Sequence, residues 1–193
     1  MNEMKFDNYT VRLIEKDDLK NYYELIDRNR KRLEDFFAGT VALTKTLKDT
    51  KHHLADVVAK IKLKINYPFV VTDDTTGMII ASIQVKGVDW MVPKAELGYY
   101  IDAAYEGKGI TTRATSLIIA YAFDELKLNK LYIRTHKENM PSVRIAEKNG
   151  FVLEGIIRSD YKTTSGTLVD LLYYGLLKEE FNPTDKNGEV GNM

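Results

Sequence analysis

One stretch, from Asp102 to Leu117, constrains the fold of this chain more than any other. It leaves the end of an apolar segment, passes through the loop Tyr105-Glu-Gly-Lys-Gly109 and continues into a long amphipathic pattern, which indicates a strand, a turn and a helix. Gly107 and Gly109 lack Cβ atoms, so the backbone N–H groups of the loop can approach a ligand closely. A helix that begins at about Thr111 would direct its unpaired N-terminal N–H groups and its positive dipole end toward the same point. The stretch therefore predicts an anion site made mostly of main chain.

Side chains of the same stretch extend and restrict this prediction. Lys108 supplies a mobile positive charge, and the hydroxyl group of Thr111 or Thr112 could cap the helix or donate a hydrogen bond. Two nucleotide motifs are excluded, because Thr112 stands at the third glycine position of the dinucleotide fingerprint and the Gly-Lys-Ser/Thr ending of a Walker A loop is missing. A lone Gly-x-Gly also occurs in ordinary strand-to-helix turns. The flanking sequence has to decide which kind of site this is.

Two further blocks flank the loop. Ala95-Glu-Leu-Gly-Tyr-Tyr-Ile101 precedes it, and Glu138-Asn-Met-Pro-Ser-Val-Arg-Ile-Ala-Glu-Lys-Asn-Gly-Phe151 follows it. The three blocks in this order resemble the GNAT superfamily of acyl-CoA N-acyltransferases, and within it the bacterial ribosomal-protein alanine/serine N-acetyltransferases of the Rim type. The resemblance covers the chain from about Tyr9 to Leu177. One departure is Ala104, which stands where the family loop commonly carries a glutamine or arginine that braces the loop.

Composition fits a single domain without a nucleic-acid or membrane partner. The 193 residues are 44% hydrophobic and 10% aromatic, which is enough to build one core. Basic and acidic residues number 28 each, whereas nucleic-acid and membrane-surface proteins usually carry a basic excess. The absence of cysteine excludes disulfides and thiolate chemistry, and no apolar run is long enough to span a bilayer. We expect a soluble, cytoplasmic protein with no metal site.

Periodicity and the resemblance together predict an α/β (mixed α+β) GNAT fold. We expect one domain over residues 1–180 and a flexible tail over 181–193, where apolar residues are scarce. The sheet should have about seven strands, mostly antiparallel, with helices on both faces. The strand, helix, strand order around the glycine loop makes Glu96–Ile101 and Lys130–His136 a parallel pair. The resemblance implies that this pair splays apart to hold a cofactor.

The resemblance implies that the cofactor is acetyl-CoA. The backbone of Tyr100, Ile101 and Asp102 would hydrogen-bond the pantetheine amides in the manner of an added strand. Asn139 would hydrogen-bond the same arm from the other side, although it could instead cap a helix that starts near Pro141. The pyrophosphate would be held by the loop and the first turn of the helix, that is by Gly107, Lys108, Gly109, Ile110, Thr111 and Thr112.

The reaction implied is attack of a neutral amine on the acetyl thioester, followed by loss of a thiolate. Glu96 is our favoured proton acceptor, because a strand period of two places it on one face with Gly98 and Tyr100. An ordinary salt-bridged glutamate would look the same in the sequence. Asp160 is the rival base. Ser142 corresponds to the serine of the Rim-type motif Asn-x-x-Ser and would reprotonate the thiolate, although serine is also common in the first turn of a helix.

Three functions stay open: acetylation of a protein N-terminus, acetylation of a small amine, and binding of acyl-CoA without catalysis. A protein N-terminus, such as that of a ribosomal protein, is favoured because the segment Lys16–Ile65, which walls the acceptor side in this family, is more basic than acidic. A small amine such as a polyamine, an amino sugar or an antibiotic is the alternative, and a non-catalytic acyl-CoA sensor is the third. The basic run Arg28–Arg32 is interpreted as a solvated helix face. A homodimer is expected from the family and from Phe36-Phe37.

Overall fold

One sheet of eight strands runs through residues 3–182, the part of the chain that this computed structural model describes. In chain order the strands are β1 (Met4–Phe6), β2 (Tyr9–Leu13), β3 (Tyr67–Asp73), β4 (Met78–Asp89), β5 (Lys94–Ile101), β6 (Lys130–Thr135), β7 (Val152–Lys162) and β8 (Leu168–Leu177). Across the sheet their order is β1-β2-β3-β4-β5-β6-β8-β7. Every neighbouring pair is antiparallel except β5 and β6, which are parallel. The predicted mixed α/β fold with one parallel pair is confirmed.

Helices cover both faces of this sheet. In the described residues they are α1 (Leu19–Leu33), α2 (Ala38–Leu43), α3 (Leu47–Lys62), α4 (Ile110–Asp124) and α5 (Met140–Lys148). On one face α1, α2 and α3 bury an apolar cluster that includes Leu25, Leu54 and Val70. On the other face α4 and α5 bury a second cluster that includes Ile118 and Phe123. Since each fully buried leucine-sized side chain contributes about 1.5–3 kcal/mol, the two layers hold the sheet firmly between them.

The parallel pair separates along its length. Pairing between β5 and β6 covers only Lys94 to Glu96 on one strand and Lys130 to Tyr132 on the other. Beyond Glu96, β5 continues to Ile101 and keeps its antiparallel partner β4, but it has no β6 partner among the described residues. The C-terminal half of β5 therefore borders a gap in the sheet, at the end of the strand from which the glycine loop leads into α4.

The strand count and one helix start differ from the predictions. The sheet has eight strands rather than about seven because β1 also pairs with β2, and three residues are too few to show a period of two in the sequence. Helix α4 begins at Ile110, with Gly109 as its N-cap, and no side chain caps it. Thr111 and Thr112 therefore lie in the first turn, so the prediction that one of them caps the helix is wrong.

Phe181 is the first residue of the predicted tail. Its ring centroid lies 5.7 Å from that of Phe123, and its side chain packs against the α4 cluster. The rest of the predicted tail from residue 183 onward lies outside the described residues. Within residues 3–182 no helix is both long enough and apolar enough to cross a membrane.

Candidate functional site

Three adjoining cavities form one groove beside the gap between β5 and β6. The first, of about 330 Å³, lies between β5 and α5 and is called the slot. The second, of about 380 Å³, lies at the loop before α4 and is called the anion pocket. The third, of about 160 Å³, lies over β5 and β6 beside the α1–α2 connection and is called the charged pocket. Thr111 lines both the slot and the anion pocket, and Ser142 lines both the slot and the charged pocket, so the three are continuous.

Most of the predicted site residues line this groove. All three candidate catalytic residues, Glu96, Ser142 and Asp160, line the charged pocket. Asp102 and Lys108 are the two predicted residues that line none of the three cavities. The others line the slot or the anion pocket, and they are Tyr100, Ile101, Gly107, Gly109, Ile110, Thr111, Thr112 and Asn139.

The anion pocket is bordered by unpaired backbone donors. Gly107 and Gly109 have φ values of +74° and +75°, a left-handed conformation that glycine adopts without strain. Within the described residues no acceptor takes the backbone N–H groups from Gly107 through Thr112, and the first helical bond of α4 runs from Arg113 N to Gly109 O, at 3.1 Å. A Cβ atom added at either glycine would have no heavy atom within 4 Å, so the space in front of the donors is open. The loop has the donors and the room that a phosphate group requires.

Positive charge on the lining of the anion pocket comes from α5, where Arg144 and Lys148 lie. Lys108 does not line the pocket, although its Nζ lies 4.9 Å from the centroid of the ring of Tyr105, a residue that does. Neither Arg144 nor Lys148 was predicted as a site residue, although their spacing of four residues on one helix face is a usable signal.

The backbone of β5 has hydrogen-bonding groups left over toward the slot. Asp102 N donates to Ile80 O on β4 at 2.7 Å, so Asp102 and, two residues earlier, Tyr100 direct their backbone groups toward β4. Tyr99 and Ile101 then direct theirs toward the slot, where β6 has already diverged. The prediction named Tyr100, Ile101 and Asp102. Only Ile101 of these faces the slot with its backbone, and Tyr99 is the residue that was missed.

Asp102 is fully engaged within the protein. Its carboxylate accepts a hydrogen bond from Arg28 at 2.9 Å and one from the backbone N–H of Ala104 at 3.1 Å, and its carbonyl oxygen accepts one from Tyr105 N. Burial alone would raise the pKa of Asp102, but the hydrogen bonds from Ala104 and Arg28 and the charge of Arg28 hold it below its ordinary value. Asp102 therefore fixes the loop, and its backbone N–H, its carbonyl oxygen and its carboxylate all have partners within the protein.

Two arginines of α1 reach this end of β5. Arg28 is the partner of Asp102, and Arg32 donates to the Ile101 carbonyl oxygen and to the Glu106 carboxylate. Burial lowers the pKa of Arg32, and the nearby charge of Asp102 partly opposes this. Arg32 and Glu106 both line the slot. The run Arg28–Arg32, interpreted from the sequence as a solvated helix face, therefore contributes Arg32 to the slot, while Arg28 is paired with Asp102.

Asn139 and Ser142 lie together at the start of α5. The Asn139 Oδ1 accepts a hydrogen bond from Ser142 N at 3.3 Å, so Asn139 is the N-cap of this helix, which was the alternative interpretation. Its side chain also lines the slot. The Tyr99 hydroxyl group donates to the Ser142 carbonyl oxygen at 3.0 Å and lies 3.2 Å from the Ser142 Oγ. Burial raises the pKa of Tyr99 more than its hydrogen bond with Ser142 lowers it, so this hydroxyl group stays protonated.

Glu96 and Asp160 are joined by one guanidinium group. Arg134 on β6 donates from Nη2 to Glu96 Oε2 at 2.8 Å and from Nη1 to Asp160 Oδ2 at 2.7 Å. Lys86 Nζ lies 3.2 Å from the other Glu96 oxygen. Burial alone would lower the pKa of Arg134, but the hydrogen bonds and charges of Glu96 and Asp160 raise it. The charged pocket thus holds two carboxylates that are matched by two cations, and the salt-bridged interpretation of Glu96 is the arrangement that the structure contains.

Aromatic side chains complete the charged pocket. Phe36 and Phe37, from the α1–α2 connection, line both this pocket and the slot. The Phe37 ring packs edge-on against Tyr100, with centroids 4.9 Å apart. The two phenylalanines thus have a place inside the groove. They no longer support the homodimer that was partly inferred from them.

Comparison with known proteins identifies the family to which this groove belongs. A sequence model described as an acetyltransferase (GNAT) domain matches residues 8–152, most of the chain. The "Putative ribosomal N-acetyltransferase YdaF" of Bacillus subtilis (strain 168) is 35% identical over 182 residues, covering 91% of this chain and 94% of that protein. The spermidine N(1)-acetyltransferase of Escherichia coli (strain K12) is 29% identical over 152 residues, covering 78% and 76%.

The solved structures share the fold. The structure of RimL, a ribosomal L7/L12 alpha-N-protein acetyltransferase in complex with coenzyme A, superposes with a TM-score of 0.84 at 14% identity, covering 91% of this chain and 98% of that one. The splayed parallel pair, the row of free amides and the match to the family model agree with one another. The chain therefore belongs to the GNAT family of acetyltransferases, enzymes that transfer an acetyl group from their cosubstrate acetyl-CoA to an amine.

Proposed function

We propose that this enzyme acetylates the N-terminal amine of a protein, with ribosomal proteins as the first candidates. The observation that carries the proposal is the charge balance of the charged pocket, where Lys86 and Arg134 neutralise Glu96 and Asp160. A single neutral amine at the end of a chain can enter such a pocket without meeting a net charge. The 35% identity with a protein named as a ribosomal N-acetyltransferase supports the same acceptor class.

The residues of the groove fit acetyl-CoA. The free amides from Gly107 through Thr112 would bind the pyrophosphate, and Arg144 and Lys148 would add positive charge. The backbone of Tyr99 and the N–H group of Ile101 would pair with the pantetheine arm along the slot, since the Ile101 carbonyl oxygen already accepts from Arg32. When bound, the cofactor supplies the acetyl thioester and a thiolate leaving group.

Side chains and backbone groups of the protein would accept the proton of the amine and stabilise the negative charge that develops on the thioester oxygen. Glu96 is the proposed proton acceptor for the amine and Asp160 remains the alternative, either directly or through a water molecule. A backbone N–H of β5 facing the slot, from Tyr99 or Ile101, would stabilise the oxyanion. Ser142, held by Tyr99, would pass a proton to the leaving sulfur and take one back through water, to which the protonated base returns the proton of the amine.

The pKa of the acceptor amine decides how much proton removal the charged pocket has to perform. An α-amino group has an ordinary pKa of about 7.7–8.0 and a lysine side chain one of about 10.4. Both Glu96 oxygens already have a cation partner, Lys86 or Arg134. An N-terminal amine, about half neutral near pH 8, needs less help with proton removal from such a pocket than a lysine side chain does.

Acetylation of a small polyamine is the second candidate function, supported by the 29% identity with a spermidine N(1)-acetyltransferase. A polyamine carries several positive charges and requires carboxylates without cation partners. Glu96 and Asp160 are the carboxylates of the charged pocket, and each has a cation within 3.2 Å. The charge balance therefore favours the protein N-terminus.

The proposal is tested with the purified enzyme and a panel of amines. Peptides that begin with alanine or serine, the same peptides with a blocked N-terminus and one internal lysine, and spermidine are compared by thiol release from acetyl-CoA. We expect kcat/KM for the free N-terminus to exceed that for spermidine by about tenfold or more, which corresponds to roughly 1.4 kcal/mol. Mass spectrometry should place the acetyl group on the α-amine. A higher kcat/KM for spermidine would contradict the proposal.

Ribosomal proteins are tested separately. Unacetylated bacterial ribosomal proteins are incubated with labelled acetyl-CoA and this enzyme, and the labelled chain is identified by its N-terminal peptide. If no ribosomal protein is labelled while model peptides are acetylated, the acceptor is a protein other than a ribosomal one. Assembly as a homodimer in the cytoplasm is part of the same proposal, and sedimentation at micromolar concentration tests the dimer.

A further inference from the structure

An open face of the sheet adjoins the charged pocket. Helices α1, α2 and α3 pack over β3, β4 and the end of β5, and their buried cluster includes Val70, Ile79 and Tyr100 but no residue of β6, β7 or β8. On β6 the residues Tyr132 and Arg134 point to this uncovered face, since Leu131 and Ile133 are buried in the cluster on the opposite side. Arg134 lies on this face and also lines the charged pocket, so the two adjoin each other.

Two stacked tyrosines form the centre of this face. The rings of Tyr132 and Tyr173 lie 4.9 Å apart and are nearly parallel, at 13°. Tyr132 pairs with Gly175 and Arg134 with Tyr173, so Tyr132 lies two residues before Arg134 on the same strand and Tyr173 lies opposite Arg134 on β8. Burial and the neighbouring Tyr132, Glu154 and Glu96 raise the pKa of Tyr173 to about 12, so it is protonated at any ordinary assay pH.

Three glycines, Gly98, Gly155 and Gly175, lie on the rest of the face, on β5, β7 and β8. The Glu154 carboxylate occupies the space over Gly175 and the Lys86 side chain lies against Gly98, whereas a Cβ atom at Gly155 would have no heavy atom within 4 Å. We call the surface of Tyr132, Tyr173 and Gly155 the tyrosine platform. A pair of stacked rings beside an open glycine offers apolar contact area to an extended polypeptide with small side chains.

The geometry of the groove directs an acceptor chain toward this platform. On one side the cofactor fills the slot. On another side the β7–β8 turn is bridged to the α1–α2 connection, because Thr164 Oγ1 donates to Asp35 Oδ1 at 3.2 Å. The open side is the tyrosine platform. We propose that the segment following the acceptor's N-terminal amine lies across the tyrosine platform, a role that rests on the proposed function.

Charge and length define this segment further. Lys130 is paired with Glu154 at 2.6 Å, so the ionic groups beside the platform balance each other and give no preference for a charged segment. From β5 across β6 and β8 to β7 there are three strand spacings of about 4.8 Å, and an extended chain rises about 3.4 Å per residue. The platform therefore accommodates about four residues after the N-terminal one, and uncharged, flexible, small residues suit it best.

Peptide length is the variable that tests the platform. Uncharged, C-terminally amidated peptides with the same first residue and two, four, six or ten residues are acetylated, and kcat and KM are determined by thiol release. For the unaltered enzyme we expect KM to fall by about tenfold between two and six residues and then to level off, with kcat nearly constant, because the added contacts bind ground state and transition state alike.

Variants of Tyr132 and Tyr173 test whether these two rings cause the fall in KM with peptide length. The double variant Tyr132→Ala/Tyr173→Ala should lose the length dependence and keep the dipeptide kcat/KM within about twofold. Tyr132→Phe/Tyr173→Phe, which keeps the stacked rings, should restore it. Tyr23→Ala on α1 is the matched control, since Tyr23 lines none of the three cavities, and calorimetric acetyl-CoA affinity checks the fold of every variant.

The outcomes separate the platform from the proposed function. Peptides acetylated with no dependence on length, or a double variant that keeps the length dependence, would overturn the platform and leave N-terminal acetylation standing. A double variant with equal losses for dipeptide and hexapeptide would also overturn it, because the tyrosines would then serve the charged pocket alone. Acetylation of no peptide of any length would overturn both.

Discussion

Replacement of Arg134 by methionine tests whether the charged pocket is one coupled unit. Methionine keeps the length and much of the apolar stem of arginine but removes all five N–H donors. Glu96 would keep Lys86 as a partner at 3.2 Å, whereas Asp160 would lose the only cation that pairs with it among the described residues. The variant therefore leaves one partly buried carboxylate unpaired.

The structure gives the size of the effect. Removing one partner of a buried ion pair costs about 3–5 kcal/mol. The Arg134 and Asp160 side chains are 33% and 25% exposed, so water screens part of this interaction, and we expect a loss of about 2 kcal/mol in the free energy of unfolding. Since 1 kcal/mol shifts the Tm of a domain of this size by about 2–4 °C, the Tm should fall by roughly 4–8 °C.

A double-mutant cycle measures the coupling directly. Asp160→Asn removes the charge that Arg134→Met leaves unpaired, so the double variant should recover part of the lost Tm, with a coupling of about 1 kcal/mol or more. Melting is followed by circular dichroism at pH 7 in low and high salt, and the loss should shrink in high salt. Arg134→Lys, which cannot donate to both carboxylates in a fixed fork, should fall between wild type and Arg134→Met. Additive single effects, or a Tm of Arg134→Met within about 1 °C of wild type, would refute the coupled arrangement.

Five further substitutions test the groove and the loop beside it. Gly107→Val and Gly109→Val should each lose most of the acetyl-CoA affinity measured by calorimetry, because valine disfavours the left-handed backbone and its side chain blocks the amides; unchanged affinity would contradict the anion site. Glu96→Gln should keep that affinity while kcat falls by roughly 10²-fold, and the defect should shrink as pH rises because the amine then deprotonates without help; wild-type kcat at neutral pH would exclude Glu96 as the base. Ser142→Ala should slow turnover without recovery at high pH, and a recovery like that of Glu96→Gln would argue against its role as the acid. Because the folded pKa of Asp102 is lowered, its charge stabilises the fold above the unfolded pKa and this contribution is lost as pH falls through the folded one; wild type should therefore lose Tm more steeply than Asp102→Asn between about pH 5 and pH 2, and parallel curves would contradict the sign.

The anion pocket could be predicted because its determinants are local. The left-handed conformation of Gly107 and Gly109 and the free amides that follow depend on a few consecutive residues. The same holds for the N-cap of α5, where Asn139 and Ser142 are three residues apart. Two errors in this region have one cause, since a period of two along β5 fixes which side chains share a face but not which backbone groups point to β4. Tyr99 was missed, and Asp102 was included, for that reason.

The charged pocket could be predicted only in part, because its contacts join distant positions. Glu96 is 38 residues from Arg134 in the sequence, and Asp160 is 26 residues from it on the other side. The sequence identified both carboxylates as competing bases but gave no sign of the arginine between them. Arg32 was missed in the same way, since a basic run on an amphipathic helix is usually solvated and only tertiary packing brings this one to Ile101 and Glu106.

This division between local and distant contacts bears on how acceptor specificity arises in this enzyme. The cofactor side of the groove is built mainly of backbone donors, which tolerate side-chain changes, so family membership is enough to identify acetyl-CoA. In the function proposed above, the acceptor side depends on four charged side chains, Lys86, Glu96, Arg134 and Asp160, and on the tyrosines beside them. Loss of either cation would leave a net negative pocket and favour a polyamine without any change in the fold. Proteins named as a ribosomal N-acetyltransferase and as a spermidine N(1)-acetyltransferase are both similar to this chain, so the acceptor of this enzyme is inferred from the charge balance of its own pocket.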